Sequence, residues 1–597
     1  MIRKTAQFLL PEQKPESVSS SYDIYPTYIL PNNKIHAGFK ELASIIASNL
    51  TVSIDGYIGI LFEDFRQNLG NELVKLGKSV NWIDVSAFLK PIDELDKLVA
   101  PFLGGDDPLF GTRTTLLLKD FFDLDKLNKL NFKDEEKSLT IIYGIGAFLV
   151  NQTNLKVYID LPKNEIQFRA RAASISNLGN LGYDDPKKMY KRFYFVDWIV
   201  LNKHKQNYLH GIDVFVDGQH HENPAFIDGI NLRESLKQLS LNCFRVRPWF
   251  EPGTWGGHWI KDRIQGLAPN VPNYAWSFEL IVPENGLLLQ SSNRLLELSF
   301  DCLMFAHAKE VLGEAFDTYG VEFPIRFDFL DTVDGGNLSV QCHPVKQYMK
   351  QHFGEEFTQE ETYYILDTKG DADVYLGFVD DIDKQQFEAE LKQSFQTAKP
   401  IEIERFVQKH KANKHDLFLI PPGTIHASGK DNLVLEISST PYIFTFKMYD
   451  WVRPDLDGKL RPLNIDRAMA NLNFDCKGEV VQNELICKPK LVKQTNDASL
   501  YHLKTHADHL YDVYRIHFKT EVSLNTQNTC HVLSLVQGAM IELTTKNAFK
   551  TAYHYAETFV VSAACETYTI KNQGNDEAWV VVAFVKSYFI HDYDIMH

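Results

Sequence analysis

The chain has 597 residues, 44% hydrophobic and 23% charged, an ordinary globular composition with length for about three or four domains. The formal net charge of −16 sets nucleic acid and anionic membrane aside as general partners. Seven cysteines at 243, 302, 342, 476, 487, 530 and 565 include no CxxC pair, which excludes a zinc ribbon or disulfide framework and reads as reduced thiols in a cytoplasmic protein. The opening Met1-Ile-Arg-Lys lacks the apolar core of a signal peptide, and no run is long enough to span a bilayer.

Residues 1–35 form an arm rich in Pro, Ser and Tyr, including Tyr22, Tyr25 and Tyr28, expected to pack along a neighbouring domain or subunit. From Phe39 the pattern becomes α/β. Leu50 to Gly56 reads as a strand ending in a turn, and Glu63 to Leu76 as a helix with Phe65, Leu69, Leu73 and Leu76 near helical spacing. A phosphate-binding loop would sit at such a junction. Asp55-Gly56-Tyr57-Ile58-Gly59 resembles the opening of that loop in uridine-kinase-like proteins. A working loop continues Gly-Lys-Ser/Thr, and here those positions are Leu61, Phe62 and Glu63. The phosphate-reaching Lys is lost, and a carboxylate replaces the magnesium-holding hydroxyl. The resemblance therefore implies a degenerate P-loop domain over 36–230, serving scaffolding, regulation or dimerisation. Ser138–Gly146 and Leu155–Pro162 read as further strands of the same parallel sheet, Arg169 and Arg171 as salt-bridging helix residues, Ile212–Asp217 as the last strand, and Gly218–Pro224 as a polar connector.

Further on, Gly256-Gly257 within Trp255 to Trp259 allow a close backbone approach. Phe278-Glu279-Leu280 follows, and Leu295 to Phe316 is helical by pattern. Asp334-Gly-Gly-Asn337 is a turn signal before a strand from Leu338 to His343, which Pro344 closes. Side chains alternate along a strand, so Gln341 and His343 share a face, as do Glu361, Tyr363 and Ile365 in a second short strand. His426 follows the turn Pro421-Pro422-Gly423. Two His, one Glu and one Gln suit zinc or another borderline first-row ion with positions left open, a catalytic rather than a structural site. The bland alternative is that each His, among 20 in the chain, is separately packed or exposed. Asp383 to Gln396 reads as a covering helix with Asp383 as N-cap and Phe387, Leu391 and Phe395 as a core stripe. Beyond about residue 480 come short alternating strands that contain His531 but no second ligand set.

Leu338-Ser-Val-Gln-Cys-His-Pro344, Glu361-Thr-Tyr-Tyr-Ile365, Pro422-Gly-Thr-Ile-His-Ala-Ser-Gly429 and Tyr449-Asp450 together resemble the type I phosphomannose isomerases, bicupin metalloenzymes. The resemblance runs from roughly Arg233 onward. It implies all-β cupin (double-stranded β-helix) barrels with helical insertions after the α/β domain: a metal-binding barrel over 231–470 and a structural one over 471–597. It implies that Gln341, His343, Glu361 and His426 hold one divalent metal, zinc first. Two positions depart from the family: Gln359 stands for a Lys and Lys447 for an Arg. Both family residues handle substrate, and Lys for Arg loses the planar fork. The catalytic candidates are Lys447 and Asp450, with Glu279 behind them because Phe278-Glu279-Leu280 resembles the family's Trp-Glu-Leu segment. The alternative for Lys447 and Asp450 is an exposed pair at a strand end. The expected activity is aldose–ketose isomerisation of mannose 6-phosphate and fructose 6-phosphate or a related sugar. Its alternatives are isomerisation of an unphosphorylated sugar and a non-catalytic sugar-sensing protein. The expected partner is a small sugar or sugar phosphate; a homo-oligomer is left open.

Overall fold

The structure, a computed structural model, describes every residue except 16–20, 106, 131–137, 151–152, 181, 283, 456–457, 587–595 and 597. The chain forms two compact units. The first takes Met1–Glu16, Tyr25–Leu239 and Pro283–His307, and the second takes Ser17–Ile24, Ser240–Val282 and Ala308–His597. The sequence boundaries at 230 and 470 fall inside helices, Gly229–Ser240 and Ile465–Asn471.

The first unit is built on a seven-stranded sheet. Its strands are β1 (Ile35–Ala37), β2 (Thr51–Gly56), β3 (Val80–Asp84), β4 (Leu139–Tyr143), β5 (Leu155–Asp160), β6 (Val214–Asp217) and β7 (Ala225–Asp228), in the spatial order β1-β7-β6-β5-β2-β4-β3. From β3 to β6 the neighbours are parallel. Val52, Ile54, Ile141, Val157 and Ile159 fill its core, the near-continuous apolar character that a sheet covered on both faces needs. The expected strand, turn and helix are present, with the helix at Phe62–Lys75 burying Phe65, Leu69 and Leu73. Glu63 at its start is engaged by Arg66 and Gln67. Arg169, fully buried, forms the expected salt bridge, with Glu165 at 3.4 Å, and also donates to the carbonyls of Gly59, Gly218 and Gln219 at 2.9, 2.9 and 3.0 Å. A cavity of about 760 Å³ lies beyond the carboxyl ends of β2, β3 and β4, lined in part by Phe62, Glu63, Asp84 and Tyr143.

Three expectations change here. Ile212–Asp217 does not supply the last strand, because β7 follows it antiparallel. The arm is not merely packed: Thr27–Leu30 pairs in parallel with Gly286–Ser291. The stretch from Leu295 opens as a strand, Arg294–Ser299, and becomes helical only at Asp301. Gly286–Ser291 and Arg294–Ser299 pair as a hairpin around Ser292, whose φ of 56° suits a tight turn.

Carboxylates at the ends of the parallel strands hold this hairpin. Asp160 on β5 accepts the Ser299 N–H at 2.8 Å, and Asp217 on β6 accepts that of Glu297 at 2.9 Å. Just beyond the hairpin, Asp301 takes the ammonium groups of Lys163 at 2.5 Å and Lys205 at 2.8 Å, while Lys205 also reaches Asp160 at 2.9 Å. All four charged side chains are buried. Charges so placed are tolerable only while paired.

The second unit contains two pairs of antiparallel sheets. One pair carries β8 (Trp249–Glu251), β9 (Trp276–Leu280), β10 (Ile325–Asp331), β11 (Val340–Cys342), β12 (Glu361–Thr368), β13 (Asp373–Phe378), β14 (Val407–Lys411), β15 (Leu417–Ile420), β16 (His426–Ser428), β17 (Asn432–Ser439) and β18 (Phe446–Tyr449). Its six-stranded sheet runs β8-β9-β10-β17-β12-β15 and its five-stranded sheet β14-β13-β16-β11-β18. The other pair, seven and four strands drawn mostly from residues 490–585, shares its own apolar core. There His531 is buried with its ring against the Tyr568 hydroxyl at 2.8 Å. The covering helix spans Lys384–Thr397, and Asp383 caps it by accepting from Gln385 and Gln386 at 2.9 and 3.0 Å. Phe387 and Leu391 are buried as expected, but Phe395 is 47% exposed and Ser394 turns inward instead. Among the described residues no helix is long and apolar enough to cross a membrane.

Replacing Asp301 by Ala leaves Lys163 without its carboxylate and Lys205 with only Asp160. Asp301→Ala is expected to destabilise the protein by about 3–5 kcal/mol, read by denaturant unfolding. A loss below about 1 kcal/mol would show that the lysines reach water.

Candidate metal centre

Strands from both sheets deliver the site. Gln341 on β11 is the cross-strand neighbour of His426 on β16 and of Lys447 on β18. Directly paired residues share a face, so these three side chains stand in a row. His343 lies two residues beyond Gln341, where Pro344 stops the strand. From the other sheet Glu361 opens β12, paired with Ser438 of β17 and Ile420 of β15. His343, Glu361 and His426 are buried and offer ligand atoms within 4.8 Å of one another, the one such group among the described residues.

Backbone carbonyls fix the tautomers. His343 Nδ1 lies 3.1 Å from the carbonyl of Phe444 and His426 Nδ1 2.9 Å from that of Thr424. A carbonyl can only accept, so each Nδ1 carries its hydrogen and each neutral ring presents an Nε2 lone pair. Both Nε2 atoms face Glu361 Oε2, that of His426 at 3.5 Å and that of His343 closer. Glu361 Oε1 is buried with no hydrogen bond. Acceptors converging in a dry pocket repel one another unless a cation sits among them. The Gln341 amide is 3.3 Å from His426 Nε2, so its oxygen reaches the same place by half a turn of the amide. Two imidazoles, a carboxylate and an amide oxygen fit a divalent first-row ion with coordination positions open. The Nδ1–carbonyl bonds are the outer contacts that orient such ligands. Burial pushes the His343 imidazolium down, toward the neutral form a metal requires.

The three catalytic candidates sit differently. Lys447 stands beside Gln341, and burial, followed by the Arg461 charge, pushes its ammonium down to about 8. Asp450 is not an exposed strand-end partner: it is buried, 2.5 Å from Arg453 and 3.6 Å from Arg461. Glu279 on β9 is outside the ligand group. Its carboxylate accepts from Tyr22 and Ser277 and lies 3.4 Å from Arg245.

A wall of polar residues went unread in the sequence. On the six-stranded sheet, Glu361, Ser438 and Arg326 form one cross-strand row, and Tyr363, Glu436 and Asp328 form the next. Arg326 donates to Glu436 and to the Tyr442 carbonyl at 3.2 Å, and, with the Gln359 amide turned to satisfy both its ends, to the Gln359 oxygen at 3.1 Å. Asp328 Oδ1 forms an ion pair with Arg326 Nε at 3.5 Å. The available signal was two charged residues alternating with Phe327 and Phe329 in an apolar strand.

A family model described as a domain of unknown function, DUF8485, matches residues 38–241. The chain is similar to mannose-6-phosphate isomerase ManA of Bacillus subtilis, 26% identical over 223 residues, 37% of this chain and 65% of that protein. It is also similar to mannose-6-phosphate isomerase of Streptococcus mutans, 28% identical over 215 residues, 36% of this chain and 63% of that protein. The chain thus spans a little under two thirds of the length of these relatives. Among solved structures, the Bacillus subtilis mannose 6-phosphate isomerase aligns at 19% identity with a TM-score of 0.46, over 57% of this chain and 99% of that one. A zinc-bound mannose 6-phosphate isomerase aligns at 14% identity with a TM-score of 0.43, over 58% of this chain and 100% of that one.

Purified protein is expected to carry about one zinc per chain, measured by mass spectrometry of dialysed samples. His426→Ala is expected to lose it while keeping the wild-type circular dichroism spectrum. Full zinc occupancy in that variant would place the ion elsewhere.

Proposed function

We propose that this chain is a metal-dependent aldose–ketose isomerase of a hexose. Mannose 6-phosphate and fructose 6-phosphate are the first pair to test, because the sequence relatives are named for that substrate. The observation that carries the reading is the convergence of His343 Nε2, His426 Nε2 and Glu361 Oε2 in a buried pocket, with Lys447 one strand from Gln341.

Gln341, His343, Glu361 and His426 would hold the divalent ion, zinc first. When bound, such an ion supplies Lewis acidity that offsets negative charge building on the sugar oxygens. The rest falls to side chains of this chain. An aldose becomes a ketose when one hydrogen leaves C2, one arrives at C1, and a hydroxyl hydrogen passes from O2 to O1. Lys447, at the ligand end of the pocket, is the group assigned to carry the proton between C1 and C2. Asp450 acts at one remove, holding Arg453 and Arg461 so that a guanidinium stands against Lys447. The α/β unit is assigned a non-catalytic part, since Phe62 and Glu63 remove the cation and hydroxyl that a nucleotide phosphate needs. Saturable ATP binding to the full-length protein would overturn that assignment.

Zinc-loaded protein is expected to exchange the C2 hydrogen of its sugar with solvent, followed by NMR in deuterium oxide. Lys447→Met is expected to lose at least about 100-fold in turnover while retaining its zinc. Sugar binding with no exchange, on metal-loaded protein, would favour the sensor alternative.

A further inference from the structure

The α/β unit keeps a cavity that the isomerase chemistry does not use. Its volume of about 760 Å³ is typical of a small-molecule site, and all its lining residues belong to that unit. From β2 the chain first builds β3 and β4 on one side of that strand, then crosses to β5 and β6 on the other. Such a reversal opens a crevice at the carboxyl ends of the strands, where open α/β sheets take their ligands. The cavity lies at those ends, against Ile58–Phe62 after β2 and Tyr143–Ile145 at the end of β4.

Buried side chains hold the loops around it. Arg169 bonds the Gly59 carbonyl at 2.9 Å. The Asn177 amide donates to Asp197 at 2.8 Å, and Arg192 donates to the Leu178 carbonyl. Asp197 ends a π-helical turn, Phe193–Asp197, a form often kept where a side chain must be aimed. The walls are therefore set before any ligand arrives, which lowers the entropy that binding must overcome.

The lining carries three charged side chains, Glu63, Asp84 and Lys90. Arg66 matches Glu63 through two hydrogen bonds of 2.8 and 2.5 Å, which leaves one charge of each sign. That balance favours neither an anion nor a cation. Both remaining groups have capacity to spare. Asp84 Oδ1 accepts from the Ser86 N–H at 2.8 Å, and Oδ2 has no hydrogen bond among the described residues. The Lys90 ammonium gives one hydrogen to the Asp120 carbonyl at 2.7 Å and keeps two. The Tyr143 hydroxyl has no hydrogen bond among the described residues, and burial, then the Asp84 and Glu63 charges, push it up, so it stays a donor. A hydroxyl both donates and accepts, so a ring bearing several of them uses such a mixed set in full. The apolar faces of Ile60, Phe62, Ile92 and Ile175 meet its C–H side.

We propose that this cavity is a separate binding site for a neutral sugar, whose hydroxyls donate to Asp84 and accept from Lys90 and Tyr143. The site is independent of the metal centre and of the isomerase reading.

The test uses full-length protein with free mannose, maltose and cellobiose beside mannose 6-phosphate, uridine and ATP. Calorimetry reads affinity and hydrogen exchange reads location. At least one free sugar is expected to slow exchange in residues 58–63, 84–92 and 173–180. Asp84→Asn keeps an oxygen for the Ser86 N–H and is expected to weaken that binding at least about tenfold, as is Lys90→Met. His426→Ala is expected to leave it unchanged. Sugar binding lost in His426→Ala but unmoved in Asp84→Asn would put the sugar at the metal centre alone and overturn the proposal. Protection of these segments only by uridine, ATP or mannose 6-phosphate, or by none of the six compounds, would overturn it as well.

Discussion

Lone pairs that face one another out of reach of water must be compensated, and the site-bearing sheets bring three such atoms to one point. Two of them belong to rings whose other nitrogen is committed to a backbone carbonyl, so neither ring can relieve the clash by switching tautomer. The third belongs to a carboxylate whose strand is bonded on both sides, to β15 and to β17. The ladders that place these groups are formed by the backbone, and their many hydrogen bonds hold side chains in an arrangement those side chains would not choose alone. A divalent cation among them would supply the opposing charge.

Around this point the pocket is graded. Near the ligands stand neutral donors and one lysine whose ammonium is easily given up. On the facing strands the Arg326 guanidinium is matched by Glu436 and Asp328. That matching shows why Lys447 and Gln359 cannot be judged one at a time. The Gln359 amide carries no charge, but turned toward Arg326 it forms part of the cradle that keeps a cation in that part of the structure.

How much of this was readable follows from the range of each interaction. That Gln341 and His343 share a face was legible because strand alternation is a two-residue rule, whereas grouping them with Glu361 and His426 came only from the resemblance. Asp383 as a helix cap was legible because its pattern is equally local. Asp328 was not, since its meaning comes from pairing with Glu436, more than a hundred residues away, and nothing in Phe327-Asp-Phe announces which face is inward. The stretch from Leu295 misled because leucines at 295, 296 and 298 are compatible with either period, and only pairing with Gly286–Ser291 makes it a strand. Phe395 misled because the helix twists its third apolar residue off the buried face.

The hairpin of Gly286–Ser291 and Arg294–Ser299 lies between two strands of the metal-site sheet in sequence, yet it completes the α/β unit. Synthesis must therefore reach Asp301 before that unit has all its parts. Until Asp301 emerges, Lys163 has no carboxylate to meet and Lys205 has only Asp160, so the nascent α/β core has reason to stay loose. The region matched by the domain family, 38–241, stops short of that residue. Excised at those limits, it would be a fragment rather than a module: its closing piece is encoded within its neighbour, and the two halves of this gene cannot readily be shuffled apart.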